Sequence, residues 1–419
     1  MNNRLGIYSS LKLVFLIISQ LILFYVLGAN TQTDIWVLSR IVPIFILNVF
    51  SGIFQLSWEP IIYSSNNKKK YIKLFLGQQI IFSVLFFIGM ITLKEFLWDF
   101  LNIVNSSETK SPILFNNLIL ISSGIFLISS FTLPLLIDLR SKNKILFSEK
   151  TEFFIELISI LPLLFFLKDY GIYFFALLIL LKRVLIFIIY YKKTGFIGPS
   201  FNLSLSFSLI KDNFKWLSLS RLVTLFLPML DRIIVNSVAV NSGTLSIFNL
   251  IYSTSTSMIT VSYKFFGIKK AINTCKEIKE KKFNNYLNHL NNSILSYSLL
   301  FLSLIIIFYF SIDIFNYTLF ELFDYVDDQN ILFYSSLFFI VMIYFGSLTN
   351  YVDSFFYCSN KIKYVVIIGI IGAIYSLILR YFLIQYFMII GIALSISLHF
   401  AINFFIKLYY LKKETNKII

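Results

Sequence analysis

Residues 145–191 read ILFSEKTEFFIELISILPLLFFLKDYGIYFFALLILLKRVLIFIIYY. Two apolar runs, 145–167 and 172–191, flank a polar break at Lys168-Asp169. Each run has about the 20 residues a helix needs to cross the hydrocarbon core of a bilayer. The stretch therefore predicts two spanning helices joined by a tight turn. The same pattern continues outward in both directions. Towards the N-terminus lie runs at 7–28, 35–62, 74–93 and 113–138; towards the C-terminus at 216–238, 244–266, 291–312, 329–357, 364–384 and 388–410. The expected fold class is an all-α polytopic membrane protein of about 12 transmembrane helices. The runs at 35–62 and 329–357 exceed one crossing and imply tilt or protrusion.

Composition agrees. The 419 residues are 58% apolar and 14% charged, with a mean hydropathy of +0.81. A water-soluble domain carries about 25% charged residues. No segment between the runs is long enough for a domain with its own core. Cys275 and Cys358 are far apart and form no CxxC pair, so no disulfide framework or zinc site is suggested. His289 and His399 leave little room for histidine catalysis. No metal or cofactor is expected, and nothing marks the chain as an enzyme. The run at 7–28 is expected to be a span rather than a cleaved leader, because it has the length of one and more follow.

The net charge of +15 would suggest nucleic acid in a soluble protein. Here the basic residues are sorted by loop. Arg4 and Lys12; Lys68, Lys69, Lys70 and Lys73; Arg140 to Lys150; Lys182, Arg183, Lys192, Lys193, Lys211 and Lys215; the lysines from 264 to 282; Lys361 and Lys363; and Lys407 to Lys417 make up 29 of the 36. The alternate loops hold Lys94, Lys110 and Lys168 among Glu95, Asp99, Glu108, Asp169, Glu321, Asp324, Asp327 and Asp328. The positive-inside rule then places both termini in the cytoplasm, with no nucleic-acid partner implied. The lysine-rich 264–290 segment reads either as a helix lying on the anionic inner leaflet or as a solvated loop.

Twelve spans invite a division into two six-helix bundles, 1–193 and 216–419, joined by a cytoplasmic linker at 194–215. Two pairs of fragments support a duplication. Asn30-Thr31-Gln32-Thr33 resembles Asn241-Ser242-Gly243-Thr244, and Ser141-Lys142-Asn143-Lys144-Ile145 resembles Ser359-Asn360-Lys361-Ile362, at offsets of 211 and 217. An even number of spans per half implies parallel repeats related by a pseudo-two-fold axis along the membrane normal.

A lipid-facing charge at mid-bilayer costs at least about 2.5–3.5 kcal/mol on insertion scales, so intramembrane charges usually face a cavity or a partner. Arg40, Arg221, Asp231, Arg232 and Arg380 are the candidates for substrate binding. The competing readings are snorkelling for the arginines and an interhelical pair for Asp231. Glu59, Glu156 and Asp353 are candidates for ion coupling, against a role as partners of nearby lysines. Asn48, Gln55, Asn236, Asn249 and the run Ser253-Thr254-Ser255-Thr256-Ser257 either line a wet cavity or bond between helices. Arginines in an apolar bundle suit an anionic amphiphile such as a lipid-linked pyrophosphate, whose oxygens match the guanidinium fork.

Leu27-Gly28-Ala29-Asn30-Thr31-Gln32-Thr33-Asp34, followed by Arg40, Pro43, Gly52 and Pro60, resembles the first hairpin of the murein-precursor flippases. Leu227-Pro228-Met229-Leu230-Asp231-Arg232 and Gly243-Thr244-Leu245-Ser246 resemble the Asp-Arg and Gly-x-x-Ser pattern of the polysaccharide-exporter (MOP) superfamily. The murein-precursor branch generally has fourteen spans and a basic pair in span 2. Here the corresponding stretch, Leu47-Asn48-Val49-Phe50-Ser51-Gly52, lacks that pair. Twelve spans resemble more closely the O-antigen and capsule repeat-unit flippases. That resemblance implies two bundles working by alternating access in the bacterial inner membrane. It also implies undecaprenyl-pyrophosphate-linked oligosaccharide as substrate, membrane lipids as surroundings, Na+ or H+ as coupling ion, and polysaccharide polymerase machinery as a partner. Two alternatives stay open within the superfamily: a lipid II flippase and an ion-coupled multidrug exporter. A membrane enzyme, the remaining class, would need catalytic groups on large outer loops, and no acid–base constellation is visible.

Overall fold

The computed structural model describes residues 2–65, 67–103, 111–195, 197–239, 242–262, 283–318, 326–359 and 361–416. Ten helices run through them: α1 (Asn2–Leu27), α2 (Thr31–Ser64), α3 (Lys68–Ile103), α4 (Pro112–Ser141), α5 (Ile145–Thr194), α6 (Leu203–Val238), α7 (Thr244–Ser262), α8 (Phe283–Thr318), α9 (Val326–Cys358) and α10 (Ile362–Asn416). The chain is an all-α, multi-pass membrane protein. Eight of the helices, α1 to α5 and α8 to α10, are long and apolar enough to cross a membrane. The other two, α6 and α7, are diluted by Asp231 and Arg232 and by the serine-threonine run. The lysine-rich segment up to residue 282 and the acidic residues Glu321 and Asp324 lie outside the described residues.

Two helices are too long for one crossing. At 1.5 Å per residue, 50 and 55 residues would extend roughly 75 and 83 Å. Each breaks at one non-helical residue: Gly171 (φ 62°) in α5 and Met388 (φ 49°) in α10. Beyond the break the chain doubles back. Tyr190 Oη donates to the Ser148 carbonyl at 3.2 Å although 42 residues separate them. Tyr375 Oη likewise donates to the His399 carbonyl at 2.8 Å. Both long helices are therefore hairpins, and the ten helices comprise twelve helical segments, as the hydropathy pattern predicts.

The breaks are 217 residues apart, the offset of the second fragment pair. The turns entering the two hairpins share their backbone bonds too. Lys144 N donates to Leu139 O and Lys361 N to Phe356 O, each at 2.8 Å. Phe147 N donates to Lys144 O and Tyr364 N to Lys361 O, each at 3.1 Å. The duplication is thus visible in hydrogen bonding, where the side chains have diverged.

The chain divides into two compact units, Val14–Ser246 and Met1–Leu13 with Ile247–Ile419. In the first, Trp58 stacks on Phe75 and donates its indole N–H to Gln78 at 2.8 Å, within a cluster that includes Phe54, Ile72, Ile137 and Ile210. Helix α6, which follows the segment expected to be a linker, packs on α2 inside this unit. In the second, Tyr297, Tyr351, Phe355, Phe356 and Phe404 form the core. His399 fastens the α10 hairpin: Nδ1 faces the Gly372 carbonyl at 3.1 Å and Nε2 faces the Asn403 amide at 3.0 Å. A carbonyl only accepts, so Nδ1 carries the proton and Nε2 accepts. The outward faces carry bare aromatics and aliphatics, among them Ile158, Leu161 and Phe165 of α5 and Tyr381, Phe382 and Tyr386 of α10. Contiguous surface of this kind fits lipid, not water.

Hydroxyls inside the apolar helices mostly bond to their own backbone. Ser253, Ser255 and Thr256 donate to the carbonyls of Leu250, Ile251 and Ser253. Part of the serine-threonine run is thereby satisfied without a cavity or a second helix.

Helix α3 meets the segment before α6 in backbone contact. Ser200 N donates to Lys73 O at 2.8 Å, and a Cβ at Gly77 would collide with the Ser200 carbonyl. Gly89, on the same helix, has open space around it. Gly77→Ala is expected to destabilise by about 1–3 kcal/mol through overpacking. Gly89→Ala should instead stabilise by about 0.5–1 kcal/mol through helix propensity. Paired thermal melts of the two variants in detergent check both signs.

Candidate functional site

The α1–α2 turn is built by its own polar residues. Gly28 (φ 76°) ends α1, and Asn30 caps α2, accepting from Gln32 N at 2.9 Å and Thr33 N at 3.2 Å. Thr33 Oγ1 accepts from Asn30 N at 3.0 Å, completing a capping box. This fixes the first turn of α2 and aims Asp34. Its carboxylate accepts from Gly243 N at 2.7 Å, Ser246 N at 2.9 Å and Ser246 Oγ at 2.7 Å. Asp34 therefore caps the N-terminus of α7 from a distant helix. The orphan N–H groups of a helix start favour such an anion. Gly243 has φ 95°, and a Cβ there would strike the Ala29 carbonyl. The two turns that resemble each other in sequence are thus clamped together by the aspartate of one and the glycine and serine of the other.

Further along α2, the guanidinium of Arg40 lies 4.8 Å from the centre of the Trp36 ring. Trp36 is buried and packs edge-on against Phe175 at 6.0 Å. Its indole N–H has no hydrogen-bond partner among the described residues. The charges of Arg232 on α6 and Arg183 on the second arm of α5 both act on Arg40. Among the described residues no carboxylate forms an ion pair with Arg40. Arg40 thus lies beside an unused N–H donor and within electrostatic reach of two further arginines of the Val14–Ser246 unit, of which Arg183 is exposed.

The other sequence candidates are placed as follows. Arg232 donates to the Pro228 carbonyl one turn earlier at 2.9 Å, and Asp231 beside it is buried. Arg221 sits on α6, with its side chain outside the described part. Arg380 belongs to the second unit, where it is buried in the first arm of α10 and donates to Ser376 Oγ. The three carboxylates each meet a base. Arg140 approaches Glu59 at 3.2 Å, with Gln55 donating to the same carboxylate at 2.8 Å. Lys182 pairs with Glu156 at 2.7 Å across the α5 hairpin, and Lys407 pairs with Asp353 at 2.7 Å between α10 and α9. No cluster of His, Cys, Asp and Glu able to hold a metal occurs among the described residues.

Lys182 and Arg183 correct the loop count given above. They lie inside the second arm of α5, Lys182 buried against Glu156 and Arg183 on the exposed face next to it, so they do not belong to an extramembrane loop. The signal was present, because the pair interrupts an otherwise apolar run on both sides. The clamp role of Asp34 carried no comparable signal, since it depends on a turn about 210 residues away.

The fold matches known structures over nearly the whole chain. A structure of the lipid II flippase MurJ in an inward closed conformation superposes with a TM-score of 0.78 at 18% identity, covering 99% of this chain and 89% of that one. An inward-facing multidrug resistance MATE family transporter of the MOP superfamily gives 0.76 at 13% identity, covering 97% and 95%. A MOP superfamily transporter from Pyrococcus furiosus, described as having a binding pocket of reverse polarity, gives 0.65 at 13% identity, covering 100% and 96%. Neither a protein-family model nor a curated protein sequence matches the chain. The fold is accordingly that of the MOP transporters, as the two sequence motifs suggested.

Two expectations follow from the contacts. Asp34→Ala leaves buried N–H groups of α7 unpaired and should cost about 1.5–3 kcal/mol, while Asp34→Asn, which keeps an acceptor, should cost less. Melting curves of the two variants test that order. Lys182→Met strands Glu156 and should destabilise by about 3–5 kcal/mol, whereas adding Glu156→Leu should restore most of the loss. Melting curves of the single and double variants check both signs.

Proposed function

We propose that the protein moves an anionic, lipid-linked substrate across the bilayer by alternating access. The most specific form of this reading is a flippase for undecaprenyl-pyrophosphate-linked oligosaccharide, an O-antigen, capsule or related repeat unit, working from the inner to the outer leaflet of the bacterial inner membrane. The observation that carries it is the cationic group of Arg40, Arg183 and Arg232, in which Arg40 has no carboxylate ion pair among the described residues. A pyrophosphate supplies the missing negative charge and enough oxygens to accept from more than one guanidinium. Arg40 is the first contact in this reading. Arg232, with Asp231 beside it, and Arg221 complete the site on α6; Arg380, in the other unit, is assigned a separate contact with substrate. An inside-negative potential assists outward passage of an anion by about 2.3 kcal/mol per charge per 100 mV.

Coupling to Na+ or H+ is assigned to Glu59, Glu156 and Asp353, whose lysine and arginine partners would release them when a cation binds. Both termini face the cytoplasm, and a polysaccharide polymerase is the expected downstream partner. The MurJ-like fold favours lipid II as the second substrate reading. A multidrug exporter is disfavoured, because such a cavity would present free carboxylates to cationic drugs, whereas Glu59, Glu156 and Asp353 each face a base.

The test is the lipid-linked glycan pool of a deletion strain in its native host, measured with the surface polymer. Accumulation of undecaprenyl-linked repeat units and loss of the polymer is the expected result, and the accumulated unit identifies the cargo. Arg40→Ala should restore less than about a tenth of the flux, with Arg40→Lys intermediate because the fork is lost but the charge kept. Unchanged glycans together with increased drug sensitivity would replace this reading by the exporter.

A further inference from the structure

A cavity of about 490 Å3 opens between the start of α3 and the start of α6, lined by Asn67, Lys69, Lys70, Lys73, Ser200 and Asn202 and floored by Leu74 and Leu205. It is a built feature. The Ser200–Lys73 backbone bond and the close approach at Gly77 hold its two walls together. Asn67 and Asn202 cap the two helices, so two helix N-termini point towards one space. Lys69, Lys70 and Lys73 are exposed, and among the described residues their ammonium groups form neither ion pairs nor hydrogen bonds. Among the described residues, no acidic side chain lines the cavity.

Its place along the chain fixes its place in the bilayer. One wall follows the second helical segment and the other follows the sixth, both even, so both walls emerge on the same membrane face. By the charge distribution that face is the cytoplasmic one. Exposed rings flank the lining residues along the chain: Phe201, between Ser200 and Asn202, is 57% exposed, and Tyr63, at the end of α2, is 45% exposed. Bare aromatic rings at a helix end suit the headgroup boundary. A free anion has no use for them, whereas a phospholipid has a phosphate for the lysines and acyl chains for the rings.

We propose that this cavity binds the phosphate headgroup of an anionic phospholipid of the inner leaflet. The ammonium groups of Lys69, Lys70 and Lys73 neutralise the phosphate, and the Asn67 and Asn202 side chains, beside the lysines, bond to its glycerol. The site lies apart from Arg40, Arg183 and Arg232 in sequence and does not depend on what the protein transports. Its effect is to anchor the α3 and α6 starts to the leaflet.

The experiment uses the full chain in a neutral detergent, titrated with phosphatidylglycerol, phosphatidylcholine or inorganic phosphate, and follows the melting temperature and bound lipid by native mass spectrometry. Phosphatidylglycerol should stabilise and remain bound, and phosphatidylcholine should do neither. Replacing Lys69, Lys70 and Lys73 together by Ala should weaken phosphatidylglycerol binding roughly ten-fold or more. Replacing them by Arg should preserve it. Since all three side chains are exposed, the Ala variant should fold. Lys192→Ala with Lys193→Ala, which removes charge elsewhere on the same face, should leave binding unchanged. Equal binding by the triple Ala variant overturns the site. Full stabilisation by inorganic phosphate, with no further gain from phosphatidylglycerol, overturns the lipid assignment.

Discussion

Hydrocarbon offers no hydrogen bonds and little solvation for charge, and that constraint organises this protein. The Asp34 carboxylate is its clearest consequence. Buried to 3% exposure, it can remain ionised only if donors surround it, and Gly243 and Ser246 provide three. Those donors are in turn orphan groups at the start of α7. One interaction therefore satisfies two needs, and it dictates the geometry around it: the capping box that aims Asp34, the left-handed Gly243, and the contact with Ala29 that excludes a side chain there.

The same constraint sorts the remaining intramembrane charges. Glu59, Glu156 and Asp353 are each drawn to a base on another helix or arm, and these pairs tie α2 to α4, the two arms of α5, and α9 to α10. Many hydroxyls return to their own helix backbone. Arg40 stands apart from both solutions. It rests on a tryptophan face among other arginines, and cation–π attraction offsets only part of the cost of holding like charges together. Arg40 has no carboxylate ion pair among the described residues, which is why it, rather than the paired acids, carries the proposed reading.

The hairpins show how duplication survives divergence. Gly171 and Met388 occupy equivalent breaks although only glycine is at ease at positive φ. The fastenings differ completely: Tyr190 and Lys182 reach back to Ser148, Glu152 and Glu156 in one hairpin, while His399, Asn403 and Tyr375 close the other. Two arms of a reversed helix need some polar link, and the backbone turn constrains neither its chemistry nor its position.

The sequence by itself determined the number of helical segments and pointed to the duplication, because the length and spacing of apolar runs are set locally by the thickness of the hydrocarbon. It also marked the Asp34 and Gly243–Ser246 stretches by their likeness to a transporter superfamily. Only the tertiary structure decided what those residues do, since a carboxylate and the N–H groups it accepts from lie some 210 residues apart. Likewise, nothing in the run LILLKRVLIFII distinguishes a lysine that is buried against Glu156 from the exposed arginine beside it. Adjacent residues on a helix point about 100° apart, so their partners are chosen by whichever helices pack on each face, and that choice is made by the whole bundle.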